Sequence, residues 1–276
     1  MGLSRSACPP TPAWSVMALP IRSIAAAVAL SFPLLATSGC DSGPTEPGEE
    51  QVTFDLDFTP GPDQLPPEAQ GWEAGFANYS PAQEEIMEFA SGHEPLPADV
   101  VGGPGEDAHG LFIGATNRSD DVFMFWTGQV EGLEPDATYR VQFEVEFATD
   151  SPAGCAGIGG PPGESVWVKA GAVPDRPEPF LDPDESQHGY WFINIDKGNQ
   201  SQDGPDARIL GDVANTESGC GDEERVWEMK TLEGDGTFEA RSDDEGRIWL
   251  LVGTDSGFEG RTELYYTRYR ATFDPV

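Results

Sequence analysis

Residues 122–150 read VFMFWTGQV-EGLEPDA-TYRVQFEVEFATD. In the second half Tyr139, Val141, Phe143, Val145 and Phe147 alternate with Arg140, Gln142, Glu144 and Glu146. A period of two puts one apolar and one wet face on a β-strand. The first half is almost continuously apolar, the pattern of a strand with little solvent on either side. Gly132, Pro135 and Asp136 between them supply turn chemistry. The stretch predicts two long neighbouring strands at the heart of an antiparallel sandwich.

Working outward, Val52, Phe54, Leu56 and Phe58 alternate with Thr53, Asp55 and Asp57, giving a first strand. Pro81–Ala90 fits one short helix capped by Ser80, or a strand around Ile86–Phe89. Residues 95–108 read as loop. Further strands are expected over 110–115, 165–172, 190–196, 209–213, 226–232, 237–241, 247–252 and 262–273, with turn signals between them. About ten strands and at most one helix predict an all-β chain, a single two-sheet sandwich of jelly-roll type over residues 52–276.

The first residues address the chain rather than fold it. Arg22 precedes an apolar run, Ile24–Leu35, followed by Ala36-Thr37-Ser38-Gly39-Cys40. This resembles a bacterial lipoprotein signal. Residues 1–39 would be the signal peptide, with Met17 the better start, and Cys40 would carry the lipid. An ordinary secretory signal is the alternative. Residues 40–51 hold Pro, Gly and acids but no large apolar side chain, as in a disordered tether. The expected location is the cell envelope, with the chain anchored to the membrane through that lipid.

Formal charge is −34, from 49 acidic against 15 basic residues. Such a surface repels nucleic acid and anionic lipid. Cys155 and Cys220 remain after Cys40. Export favours a disulfide between them, closing 220 − 155 = 65 residues, with two free thiols the alternative.

The segments NRSDDVFMFWTGQVEGLEPDATYRVQFEVEFAT (117–149), GIGGPPGESVWVKAGA (157–172), DKGNQSQDG (196–204) and LLVGTDSGFEGRTELYYTRY (250–269) resemble those of a family of uncharacterised bacterial lipoproteins. More broadly, the strand order and closing strand resemble galactose-binding-like jelly rolls and carbohydrate-binding modules. That resemblance implies a glycan on a sheet face or in loops at one end, and often a structural calcium. The acidic residue usual late in the closing strand is not matched, since Thr267 and Arg268 stand there.

Four loops are rich in hydrogen-bonding groups: 117–121, 196–203, 211–215 and 255–259. Asp120, Asp121, Asp255 and Glu259 are hard oxygen ligands suited to Ca²⁺, although no loop has EF-hand spacing and Asx-rich turns need no ion. Glycan binding wants aromatic platforms beside amides and carboxylates. Trp126, Trp167, Trp191, Trp227 and Trp249 are candidates, beside Asn194, Asp196, Asn199 and Gln200. Trp in a strand is otherwise core. Asn117 and Arg118 join the candidate ligand set, with Arg118 either capturing an anion or pairing with Asp120 or Asp121.

Catalytic patterns are sparse. Asp255 and Glu259 could act as a carboxylate pair on a sugar. His93, His109 and His188 show no metal-ligand spacing, and no nucleophile elbow is present. The expected function is a tethered, non-catalytic module that binds a glycan. The alternatives are a structural envelope lipoprotein with a protein partner and a carboxylate-dependent glycan-active enzyme.

Overall fold

The structure, a computed structural model, describes residues 50–105, 107–118, 121–183, 189–221 and 225–276. The expected signal segment, Cys40, Asp120 and His188 lie outside the described residues. Among the described residues fourteen strands run in chain order: β1 (Val52–Asp57), β2 (Glu73–Ala77), β3 (Ala90–Pro95), β4 (His109–Thr116), β5 (Val122–Glu131), β6 (Thr138–Thr149), β7 (Val166–Val173), β8 (Pro179–Asp182), β9 (Tyr190–Ile193), β10 (Arg208–Asp212), β11 (Glu228–Glu233), β12 (Phe238–Arg241), β13 (Arg247–Ser256) and β14 (Arg261–Pro275).

They form two facing antiparallel sheets and one hairpin. The seven-stranded sheet follows β11-β6-β14-β4-β3, with β1 also on β14 and β12 also on β6. The five-stranded sheet follows β10-β7-β13-β5-β2, and β8 pairs with β9. The chain is thus a two-sheet antiparallel β-sandwich of jelly-roll type. β14 is long because it must partner β1, β4 and β6 in turn; its register shifts between Tyr266 and Arg268.

The alternation read in β6 is realised. Tyr139, Val141, Phe143, Val145 and Phe147 are buried in the main core, facing Met124, Trp126, Val168, Ala170, Leu250 and Val252 of the other sheet. Each fully buried aromatic or aliphatic side chain contributes about 1.5–3 kcal/mol. β5 and β6, however, are not hydrogen-bonded neighbours; they lie in opposite sheets. Six turn residues, 132–137, are too many for the tight two-residue hairpin. They let the chain cross the core so that both strands bury an apolar face against one another.

The strand count exceeds the expected ten. β2 and β3 are built from EAGFA and ASGHEP, which carry almost no β-branched residues and no alternation. β8 hides in a proline-rich excursion. The expected helix is a 3-10 turn over Pro81–Ile86, and Ser80 makes no side-chain cap. Cys155 and Cys220 are disulfide-bonded, tying the glycine-rich loop to the segment before β11.

Candidate functional site

The two outer sheet faces differ. On the five-stranded sheet, the outward residues Phe123, Phe125 and Leu251 are buried with Ala77, Ile193 and Ala207, because the segment from β9 to β10 folds over them. Two glycines make that fit possible. Gly171 lies under the cover, where a Cβ would stand 2.2 Å from the Asp206 carbonyl oxygen. Gly198 takes φ 73° in the tight 196–204 turn, where a side chain is strained.

Beneath the cover lies a sealed ionic cluster. The side chains of Lys169 on β7 and Asp255 on β13 are fully buried, 3.0 Å apart. Lys197 of the cover donates to the same Asp255 Oδ2 at 2.6 Å, as does the Gln200 backbone N–H at 2.8 Å. Lys197 Nζ also sits 5.0 Å from the Phe123 ring centre. Lys169 Nζ donates to the carbonyls of Lys197 and Gln202 at 2.8 and 2.9 Å. Asp121, at the head of β5, accepts from Asn78 Nδ2 at 2.8 Å and lies close enough to the Asp255 carboxyl to feel its charge. Burial and the Asp255 charge push Asp121 up to about 6. Burial holds Lys169 below the ordinary lysine range, against the pull of Asp255.

The seven-stranded sheet keeps half-exposed side chains outward. On one half Arg268 grips Asp55 at 2.6 and 2.5 Å, and Arg270 reaches both Asp55 and Glu144 at 3.0 Å. On the other half lies an aromatic group. Tyr265 of β14 sits opposite Phe112 of β4 and Ala148 of β6, and Ala148 opposite Met229 of β11. These four therefore form one row across four strands. The Tyr265 and Phe112 ring centres are 4.9 Å apart; Trp227 stands edge-on to Tyr265 at 5.1 Å.

Carboxylates fringe these rings. Burial raises the Tyr265 hydroxyl, and the charges of Glu94, Glu263 and Asp150 raise it further. Glu263 pairs with Arg261 at 2.8 Å, and Asp150 lies 3.8 Å from Arg225. Aromatic faces beside hydrogen-bond acceptors suit a ligand with apolar C–H patches and hydroxyl donors.

The residues singled out in the sequence are scattered among other tasks. Asn117 is buried and donates to the Ser256 and Phe258 carbonyls, stapling the β13–β14 turn. Arg118 is exposed and its carbonyl accepts from Gln83 Nε2. Asn194 spends both ends of its amide on the backbone of Glu178 and Arg176. Asp196 closes an Asx turn on the Gly198 N–H, and the Asn199 carbonyl accepts from the Gln202 N–H. Trp191 packs on Tyr79 with ring centres 6.4 Å apart and is bonded through its backbone to the residues after β2. Trp126 is core.

The calcium set fares worse. Two ammonium groups occupy the space around Asp255 Oδ2 that a cation would need. Among the described residues no group of three or more metal-binding side chains converges. Burial also removes Asp255 from any role as a sugar-facing acid or base, which undoes the Asp255–Glu259 pairing. Of the sequence candidates, Trp227 alone joins the open aromatic group. Tyr265 was missed, although its place two residues before the bulge in TELYYTRY sets it outward.

No family model matches the sequence, and no curated protein is similar to it. Among solved structures, the chain is similar to the enzymatically active domain of bacteriophage CBA120 tailspike protein 4, at 7% identity and TM-score 0.32 over 75% of this chain. It spans 20% of that tailspike chain. It is similar also to TmCBM61, solved with β-1,4-galactotriose, at 9% identity and TM-score 0.32 over 73% of this chain and 88% of that one. A third is TmCBM27, a carbohydrate-binding module that recognises mannan, at 14% identity and TM-score 0.35 over 81% and 98%. At such scores these likenesses add nothing to the sandwich already defined by strand pairing.

Proposed function

We propose that this protein is a non-catalytic glycan-binding module, tethered to the cell envelope by a lipid on Cys40. Its ligand lies against Trp227 and Tyr265 on the outer face of the seven-stranded sheet. The observation that carries this reading is the aromatic group itself: two half-exposed rings in contact on an otherwise charged sheet face, fringed by Glu94, Glu263 and Asp150. Rings offer stacking surface, and carboxylates accept sugar hydroxyls. The same carboxylates and the overall −34 charge repel uronic and sulfated chains, so the ligand is a neutral glycan.

Calorimetry against neutral oligosaccharides and a polyuronate tests this. Binding of a neutral ligand is expected, with Trp227→Ala and Tyr265→Ala each weakening it roughly tenfold, about 1.4 kcal/mol. A blank across neutral ligands at millimolar concentration, or binding untouched by both substitutions, overturns it.

One observation favours a second reading, an envelope protein as partner. Phe180 and Leu181 on the β8–β9 hairpin are 45% and 43% exposed. Capture of one envelope protein that is lost on Phe180→Ser, with no glycan bound, selects that reading.

A further inference from the structure

Three ion pairs on the outer face of the seven-stranded sheet close into hydrogen bonds. Arg268 meets Asp55 at 2.5 Å, Arg270 meets Glu144 at 3.0 Å, and Arg261 meets Glu263 at 2.8 Å. Asp150 and Arg225 do not close; they stop at 3.8 Å, beyond hydrogen-bond reach. The Asp150 side chain is nevertheless only 17% exposed. Burial raises its carboxyl, Arg225 pulls the other way, and the Glu263 charge raises it further. Among the described residues no side chain donates a hydrogen bond to it. A largely desolvated carboxylate with a guanidinium in reach but unbonded leaves its accepting capacity unspent.

The register puts this gap beside the rings. Thr149 pairs with Glu228 of β11 and with Leu264 of β14. One step further, Asp150 stands level with Trp227 on one side and Glu263 on the other. Its charge is felt at the Tyr265 hydroxyl. The backbone on the β11 side is fixed. Asn215 Nδ2 donates to the Val226 carbonyl at 2.8 Å, and the Val101 N–H donates to the Trp227 carbonyl at 2.9 Å. Arg225 thus leaves the chain from a pinned segment.

We propose that Asp150 and Arg225 are the specificity-determining pair of this face, taking one ring hydroxyl of a neutral glycan between them. The inference rests on the glycan reading and names what that site selects. The hydroxyl donates its proton to the Asp150 carboxyl, and its oxygen accepts an Arg225 N–H. Contacts of about 2.7 and 2.9 Å to one shared oxygen span the gap at roughly a right angle. A closed ion pair would leave no such seat. Trp227 and Tyr265 take the apolar side of the same sugar. A sugar that lacks this hydroxyl, or is linked through it, leaves two charged groups unsatisfied and is rejected.

The test is calorimetry of the full chain with cellotetraose, mannotetraose and β-1,4-galactotetraose, then with monodeoxy derivatives of whichever binds. For wild type, loss of one particular hydroxyl should weaken binding roughly tenfold or more, as for a hydrogen bond to a charged group. Asp150→Ala should weaken the parent sugar by a similar factor and bind that monodeoxy sugar no worse than the parent. Asp150→Asn, whose amide oxygen still accepts, should recover most of the affinity. Urea unfolding checks that both variants are folded. If every monodeoxy sugar loses the same factor in Asp150→Ala as in wild type, the pair has no part in recognition and the proposal is overturned. Binding lost in Tyr265→Ala but unchanged in both Asp150 variants overturns it while leaving the glycan reading intact. A blank for all three tetrasaccharides in wild type overturns both.

Discussion

The two outer faces of this sandwich solve the same problem in opposite ways. Each sheet has an outward side that carries charge. On the seven-stranded sheet Arg268, Arg270, Asp55 and Glu144 stay partly in water, where each pair needs little from its surroundings. On the five-stranded sheet Lys169, Lys197 and Asp255 are shut beneath the β9–β10 segment. Sealing them costs desolvation, which close contacts must offset. The lesson is that cation–carboxylate pairs stabilise by different physics on the two sides. The open side keeps its rings and charges at the surface, and the closed side holds the cover down.

The largest difference should appear on deleting Asp255. Asp255→Ala leaves two buried ammonium groups without their anion, and unfolding free energy in urea should fall by about 3–5 kcal/mol. If the loss is under 1 kcal/mol, the cluster is wetter than described.

Next comes the disulfide, which ties loops at one end of the sandwich. Replacing both Cys155 and Cys220 by serine should cost about 2–4 kcal/mol in the same assay. A silent double variant would show that this end is already restrained by packing.

The pH response should separate the faces by sign. Asp121 has a folded value of about 6 against an ordinary 3.8, so the folded state holds the extra proton. Its contribution is fully present below 3.8 and is lost as pH rises through about 6. Asp55 is the reverse. Hydrogen bonds from Arg268, then Arg270, lower it to about 2, so its contribution is present above 3.8 and is lost as pH falls towards 2. Asp121→Asn should flatten the upper limb of the stability–pH curve and Asp55→Asn the lower. The comparison breaks if either substitution flattens the other's limb.

The smallest effect belongs to the open ladder. Arg270→Ala should change stability by less than about 1 kcal/mol, and added salt should erase most of that.

The sequence revealed these faces unequally. β6 announced itself because one side of it is wet, so its alternation is complete. β5 announced its burial on both sides through VFMFW, and the cover over Phe123 and Phe125 is the physical cause. What covers β5 was unreadable, since β8 and the 196–206 turn are rich in proline, glycine and aspartate and look like plain loop. The same gap hid the cluster. In VWVKAGA, Lys169 reads as an outward, solvated residue; only a turn about thirty residues later buries it. Polar loops drew attention as ligand sites for the same reason. Asn117, Asn194 and Asp196 are there to satisfy backbone groups in turns, which sequence cannot distinguish from ligand contacts. Trp227 was legible as an aromatic, but its meeting with Tyr265 depends on β11 and β14 flanking β6, a pairing of distant segments.

Hydroxyl-radical footprinting of the native chain, read by mass spectrometry, tests the contrast between faces most directly. Trp227 and Tyr265 should be oxidised readily and Phe123 and Phe125 spared. Labelling of Phe123 and Phe125 at rates matching Trp227 would contradict a sealed face on the five-stranded sheet.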